Sequence, residues 1–235
     1  MAKFLNLIGR PGSGKSTLAR EITHRHGGAG GVVTLNEYNF LEEMFRDEEN
    51  HPQGTRRFRR REQGNVVGFD VLDPRVFPIA LSQVNERASQ YLQEPDKLVL
   101  IEFSRPDYSD VRNCFSTDIM KNAQFCFVKA PLETCIKRIR QRVERNFYPD
   151  DKLVSEEVMR QRYQEDGLAT LLNSVSSKRV HVLDNTSSWN DAWLEMRTYL
   201  DEIMYHHTTS SAVWSMGNLK WTRAPYNSLQ WPPLI

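Results

Sequence analysis

Apolar residues along this chain follow two alternating rhythms. Short unbroken runs, Phe4 to Ile8, Val32-Val33-Thr34-Leu35, Lys97 to Phe103, Gln124 to Lys129 and Arg179 to Leu183, have the length and β-branched character of strands buried on both faces. Between them the apolar positions space out by three and four, as on one side of a helix. Ser16 to His26 carries Leu18, Ala19 and Ile22 on one side and is stopped by Gly27-Gly28-Ala29-Gly30-Gly31. Phe40, Leu41, Met44 and Phe45 predict a short second helix. Asp73-Pro74 reads as N-cap and first residue of a third, whose Phe77, Leu81, Val84, Ala88, Tyr91 and Leu92 keep the period for about five turns. A weaker pattern covers Tyr108 to Met120. Pro131 opens a helix with Leu132, Cys135, Ile136, Ile139 and Val143 on one face, and Ser155 ahead of Glu156 and Glu157 caps another. The last begins near Ser188 and turns Ala192, Trp193, Met196, Leu200 and Ile203 inward.

Strands separated by helices imply right-handed crossover units and a parallel sheet covered on both faces. The expected architecture is a three-layer α/β/α domain with a five-stranded parallel sheet over residues 1–205. Two stretches fall outside it. His51 to Gly64, with Arg56, Arg57, Arg59, Arg60 and Arg61, shows no element, and a mobile basic loop is expected. From His206 the pattern is lost: Trp214, Trp221 and Trp231 sit among prolines and polar residues. The segment 206–235 reads either as a tail that packs its tryptophans back on the domain or as a partner-binding segment.

A net charge of +1 gives no global argument for nucleic acid or membrane. There is no run of eighteen apolar residues, and the N-terminus lacks the apolar core of a signal peptide. Cys114, Cys126 and Cys135 have no metal-like spacing and read as thiols in a reducing compartment. A soluble, cytoplasmic protein without a membrane partner is expected.

Chemistry concentrates where the strands end. Gly9-Arg10-Pro11-Gly12-Ser13-Gly14-Lys15-Ser16-Thr17 follows the first strand, opens a helix and matches G-x-x-x-x-G-K-[ST]. The glycines let successive backbone N–H groups converge on phosphate oxygens, and the helix start adds its dipole. Lys15 would reach the outer phosphates, and the Ser16 hydroxyl would ligand Mg²⁺; ATP and Mg²⁺ are the cofactors implied. Ligands of open parallel sheets bind beyond the carboxyl ends of the strands. Glu37 after the second strand is therefore a candidate general base, with a solvated loop acid as the alternative. Glu102 closing the third is a candidate Mg²⁺ carboxylate. Arg105 beyond it would pair with substrate phosphate or hold Glu37. Arg138, Arg142 and Arg145 form one helical stripe leading into a break at 146–153, as in a small lid of about residues 138–155 that brings cations to a transferring phosphoryl group. Asn185, after the fifth strand, would meet the adenine edge or serve a turn.

Together, the phosphate loop, the acids after strands two and three, the arginine-rich helix and the polar loop after strand five resemble the P-loop nucleoside and nucleotide kinase superfamily. Gly68 to Phe77 looks like the stretch uridine kinases carry before their third strand, and Leu100-Ile101-Glu102-Phe103 looks like their I-E-G with Phe for Gly. Glu37 is more similar to the base of deoxynucleoside kinases. The resemblance implies a P-loop NTPase fold with strand order 2-3-1-4-5 and Mg²⁺-dependent transfer of the γ-phosphate of ATP to a small-molecule hydroxyl, first of all on a nucleoside or nucleoside-like compound. Two alternatives stay open: a polynucleotide 5′-hydroxyl kinase, motivated by the arginines at 56–61 and the tail tryptophans, which would make nucleic acid a partner, and a nucleotide-gated interaction module, motivated by the tail.

Overall fold

The computed structural model describes residues 1–28, 31–52, 54–63, 66–145, 153–186 and 189–205. The tail at 206–235 and the centre of the expected lid lie outside the described residues. Strands β1 (Lys3–Ile8), β2 (Val32–Asn36), β5 (Leu98–Glu102), β6 (Ala123–Lys129) and β7 (Val180–Asp184) form one parallel sheet in the order β2-β5-β1-β6-β7. Counting only these strands, that is the expected order 2-3-1-4-5. The first strand lies at the centre, so the loop that follows it opens in the middle of the sheet edge.

Alternation along β1 divides the core. Phe4 and Ile8 pack towards α3 (Val76–Ser89), α4 (Thr117–Asn122) and α7 (Leu168–Ser174). Leu5 and Leu7 pack towards α1 (Lys15–His26) and α8 (Trp189–Tyr205), meeting Leu18, Ile22, Met196 and Leu200. Each such side chain contributes roughly 1.5–3 kcal/mol when fully buried, which locks the strand register and hence the position of every group at the strand ends.

Elsewhere the chain departs from its sequence pattern. The expected basic loop is instead a two-stranded antiparallel hairpin, β3 (Phe58–Gln63) and β4 (Val66–Val71). Phe58, Phe69 and Val71 form a second core with Leu41 and Phe45 of α2 (Glu37–Asn50) and with Val76 and Ala80 of α3. The arginines of β3 are paired. Asp70, almost fully buried, accepts from Arg59 and Arg61, and both also reach Glu157. The Ser155 hydroxyl donates to Asp70 at 3.0 Å while capping α6 (Glu156–Arg162) through Val158 N–H.

The pattern at 108–120 is not one helix: a 3₁₀ turn at Val111–Asn113 precedes the short α4, capped by Ser116. Asp73 accepts from Arg75 N–H at 3.0 Å, but the next turns close from residue 76 to 73 and from 77 to 74, so the regular helix begins only at Val76. The arginine-bearing helix α5 (Leu132–Arg145) packs Cys135, Ile136 and Ile139 on Met159 and Tyr163 of the α6 region.

Candidate functional site

The phosphate loop is held by close approach. Gly12 has φ +79°, and a Cβ there would lie 2.6 Å from the Cys135 carbonyl oxygen; at Gly9, φ +136°, it would lie 2.4 Å from that of Val128. No side chain fits at either position, so the loop backbone rests directly on β6 and α5. Lys15 is buried, and its ammonium donates to the Gly9 and Arg10 carbonyls at 3.1 and 2.8 Å. Burial pushes its pKa down to about 8, with Glu102 pulling the other way. The Ser13 hydroxyl oxygen is buried in this loop without a partner among the described residues, as expected of a group left for a phosphate oxygen.

Glu102 sits between its sheet neighbours Leu7 and Asn36. It accepts from the Ser16 hydroxyl at 2.5 Å and from Asn36 Nδ2 at 3.1 Å. A hydroxyl and a carboxylate converging beside a phosphate loop are hard oxygen donors of the kind that hold Mg²⁺, the remaining coordination coming from phosphate and water. The residues present fit that ion.

Glu37 is the first residue of α2 and is buried, with Asn36 capping the helix through Tyr38 N–H at 2.9 Å. Its carboxylate is gripped at both oxygens by Arg105, with Nη1 to Oε2 at 2.5 Å and Nη2 to Oε1. Arg105 also donates to Phe77 O and Ser104 O and lies 4.3 Å above the Phe77 ring. Of the two roles open to Arg105, the structure places it on Glu37. Burial pushes the Glu37 carboxyl up from 4.5 and Arg105 opposes it, leaving a group readier to accept a proton than an exposed glutamate. The Tyr108 hydroxyl, pushed up to about 12 by burial, accepts from Gly9 N–H and Arg105 N–H at 3.0 and 3.2 Å, joining the phosphate loop to the Arg105 segment.

A cavity of about 580 Å³ unites these groups. Gly12, Lys15, Ser16, Glu37, Glu102, Arg105 and Arg142 line it, and Tyr38, Phe69, Phe77 and Leu81 form an apolar wall. Other sequence-derived candidates lie differently. Arg138 donates to Ser13 O and Asn185 O, and Asn185 Nδ2 donates to Ser13 O at 2.7 Å; both therefore brace the back of the loop. The Arg10 side chain turns away from the loop's concavity to backbone carbonyls of Ala130, Tyr163 and Gln164. Pro11, Gly14 and Thr17 keep their places in the loop and the first turn of α1. Tyr108 and Arg162 also line the cavity; the sequence marked Tyr108 only as the start of a weak helical pattern, and Arg162 carries no motif.

The family profile described as "AAA domain" matches residues 5–168. Solved structures of similar fold include a sugar kinase from Janibacter sp. HTCC2649, 16% identical with a TM-score of 0.51, the match covering 86% of this chain and 95% of that one. A gluconokinase from Sinorhizobium meliloti 1021 is 15% identical with a TM-score of 0.51, covering 88% and 97%. A putative kinase from Chloroflexus aurantiacus is 16% identical with a TM-score of 0.51, covering 84% and 97%. Comparison with the curated proteins gives no match. Among the described residues no helix is long and apolar enough to cross a membrane.

Proposed function

On the premise that this chain belongs to the AAA domain family, whose profile spans most of its length, we propose that it is an ATP- and Mg²⁺-dependent phosphotransferase acting on a hydroxyl of a small metabolite. The observation that carries this reading is a buried, arginine-held carboxylate in the same cavity as the phosphate loop. A switch or motor needs only a water to attack the γ-phosphate. A cavity with its own buried carboxylate and an apolar wall suits a second substrate better.

In this reading the loop N–H groups and Lys15 hold the outer phosphates of ATP, and Ser16 and Glu102 hold Mg²⁺, which neutralises charge on the β- and γ-oxygens. Glu37 takes the proton from the acceptor hydroxyl as the new O–P bond forms and the bond from the γ-phosphorus to the β-bridging oxygen breaks. Arg105 fixes the carboxylate at the cavity wall, and Arg142 adds positive field at the phosphoryl group. The aromatic wall of Tyr38, Phe69 and Phe77 supports a nucleoside or nucleoside-like acceptor, whose flat base it would cover.

The arginines that motivated an oligonucleotide acceptor are largely neutralised: Arg57 pairs with Glu48, Arg60 with Glu49 and Glu62, and Arg59 and Arg61 with Asp70. Little charge remains there for a phosphate backbone, so the small acceptor is preferred. The test is ADP release by purified protein with Mg²⁺ and ATP over a panel of nucleosides, sugars and short oligonucleotides. Acceptor-dependent turnover supports the reading; equal ATP hydrolysis with every compound and with none removes it.

A further inference from the structure

Arg10 is almost fully buried, yet no carboxylate meets its guanidinium among the described residues. It donates instead to three backbone carbonyls: Nε to Tyr163 O at 2.8 Å, Nη2 to Gln164 O at 2.5 Å and Nη1 to Ala130 O at 3.1 Å. Tyr163 is the C-cap residue of α6, its own N–H bonded to Met159 O. The last carbonyls of a helix lack intrahelical donors and carry the negative end of its dipole, so a cation there both satisfies and attracts them. A residue of the phosphate loop thus caps a helix that lies 153 positions further along the chain.

The residue just before that cap is Arg162. It lines the cavity, is half-buried, and makes no hydrogen bond or ion pair with a described residue. Its neighbours differ: Arg105 is matched by Glu37, Arg138 by loop carbonyls, and Arg140 and Arg160 by Glu156. Holding a guanidinium partly out of water without an anion is costly, and the cost is recovered when a bound ligand supplies one.

We infer that Arg162 contacts an anionic oxygen of the bound substrates, and that Arg10 is the positioning residue that keeps it in register with the phosphate loop. This rests on the reading of the cavity as a site for nucleotide and acceptor. The shared chemistry is an anionic oxygen, either on the γ-phosphoryl group or on an acidic group of the acceptor. Because the Arg10 bonds tie the C-terminal end of α6, and with it Arg162, to the phosphate loop, the two arginines act as one unit.

The test uses wild type, Arg162→Ala, Arg10→Met and the double variant. Calorimetry with Mg²⁺ measures affinity for ADP, for the β,γ-imido analogue of ATP, and, with ADP present, for a neutral nucleoside and its 5′-monophosphate. Loss of one charge-assisted contact predicts that Arg162→Ala weakens one ligand about tenfold or more while ADP stays within about twofold. A loss confined to the imido analogue assigns the contact to the γ-phosphoryl group; a loss confined to the monophosphate assigns it to the acceptor.

Arg10→Met is expected to give the same selective loss, with the double variant no worse than either single change. Arg10→Lys, which keeps the charge and fewer donors, should recover part of it. Unchanged affinities for every ligand in Arg162→Ala overturn the inference. So does an Arg10→Met variant that weakens ADP equally or adds its full effect to Arg162→Ala, since a merely structural residue would behave that way. A wild type that binds no Mg²⁺-nucleotide sinks the kinase reading and this inference with it. One that binds well while Arg162→Ala is indistinguishable from it sinks the inference alone.

Discussion

Lys15 is held in a place that does not suit a charge until a nucleotide arrives, and that conflict is measurable. An ordinary lysine titrates near 10.5, while burial brings Lys15 to about 8. Between these values the unfolded chain binds a proton that the native chain has released, so stability rises with pH through the window. Below about pH 8 the native protein carries the full cost, about 3 kcal/mol. The perturbation is Lys15→Met, which removes the titration and keeps an unbranched side chain only one atom shorter. Its absolute effect at neutral pH mixes relief of that cost with the loss of two bonds to Gly9 and Arg10 carbonyls. The pH dependence of the difference is free of that mixture. Urea unfolding of both proteins without nucleotide, at intervals from pH 7 to 10.5, should show wild type gaining about 3 kcal/mol relative to the variant. Other lysines and tyrosines titrate in both proteins and cancel. A second readout is nucleotide affinity, which should weaken about tenfold per pH unit above 8 in wild type, with protons taken up on binding near that pH. A stability difference that stays flat across the window would refute the burial argument, because it would mean that Lys15 titrates alike in both states.

Three further outcomes follow from the geometry. Glu37→Gln should lower kcat by about 10²–10⁴-fold with ADP affinity unchanged. The acid limb of the wild-type kcat/KM profile should lie above pH 4.5, since burial raises the carboxyl, and should vanish in the variant. For Asp70, burial pushes the carboxyl up, but bonds from Arg61, Ser155 and Arg59 outweigh it and hold it below 3.8. It therefore contributes stability above that pH which is lost as pH falls; Asp70→Asn should cost about 2 kcal/mol at pH 7, discounted for its half-exposed partners, and less in acid, by urea unfolding. Gly12→Ala, which combines a positive φ with a 2.6 Å approach to Cys135 O, should cost about 1–3 kcal/mol and abolish calorimetric ADP binding.

The sheet was legible because each strand is a bounded apolar run, and the phosphate loop because its chemistry demands a fixed spacing of glycines. Ser155 was legible as a cap because acids follow it. The hairpin was not. On β3 the half-buried alternate positions are Arg59 and Arg61, and what buries them is the carboxylate of Asp70 rather than an apolar layer, so the period-two signal is written in charge. Asp73 anticipated the helix too early because its side chain caps a 3₁₀ turn, a local choice that sequence does not distinguish from an α-turn. Arg10 occupies a motif position that tolerates many residues, so nothing marked its side chain as the cap of a helix far along the chain.

Asn36 shows how little freedom one position can have. Its amide oxygen receives the Tyr38 N–H while its nitrogen gives to Glu102. A half-turn about the last bond would set donor against donor at one end and acceptor against acceptor at the other. Aspartate would keep the helix cap but bring a second negative charge against Glu102. Serine would keep the cap and lose the reach. Position 36 accepts an amide and little else, and through that one planar group the end of a strand, the start of the helix that carries Glu37 and the Glu102 carboxylate share a single orientation.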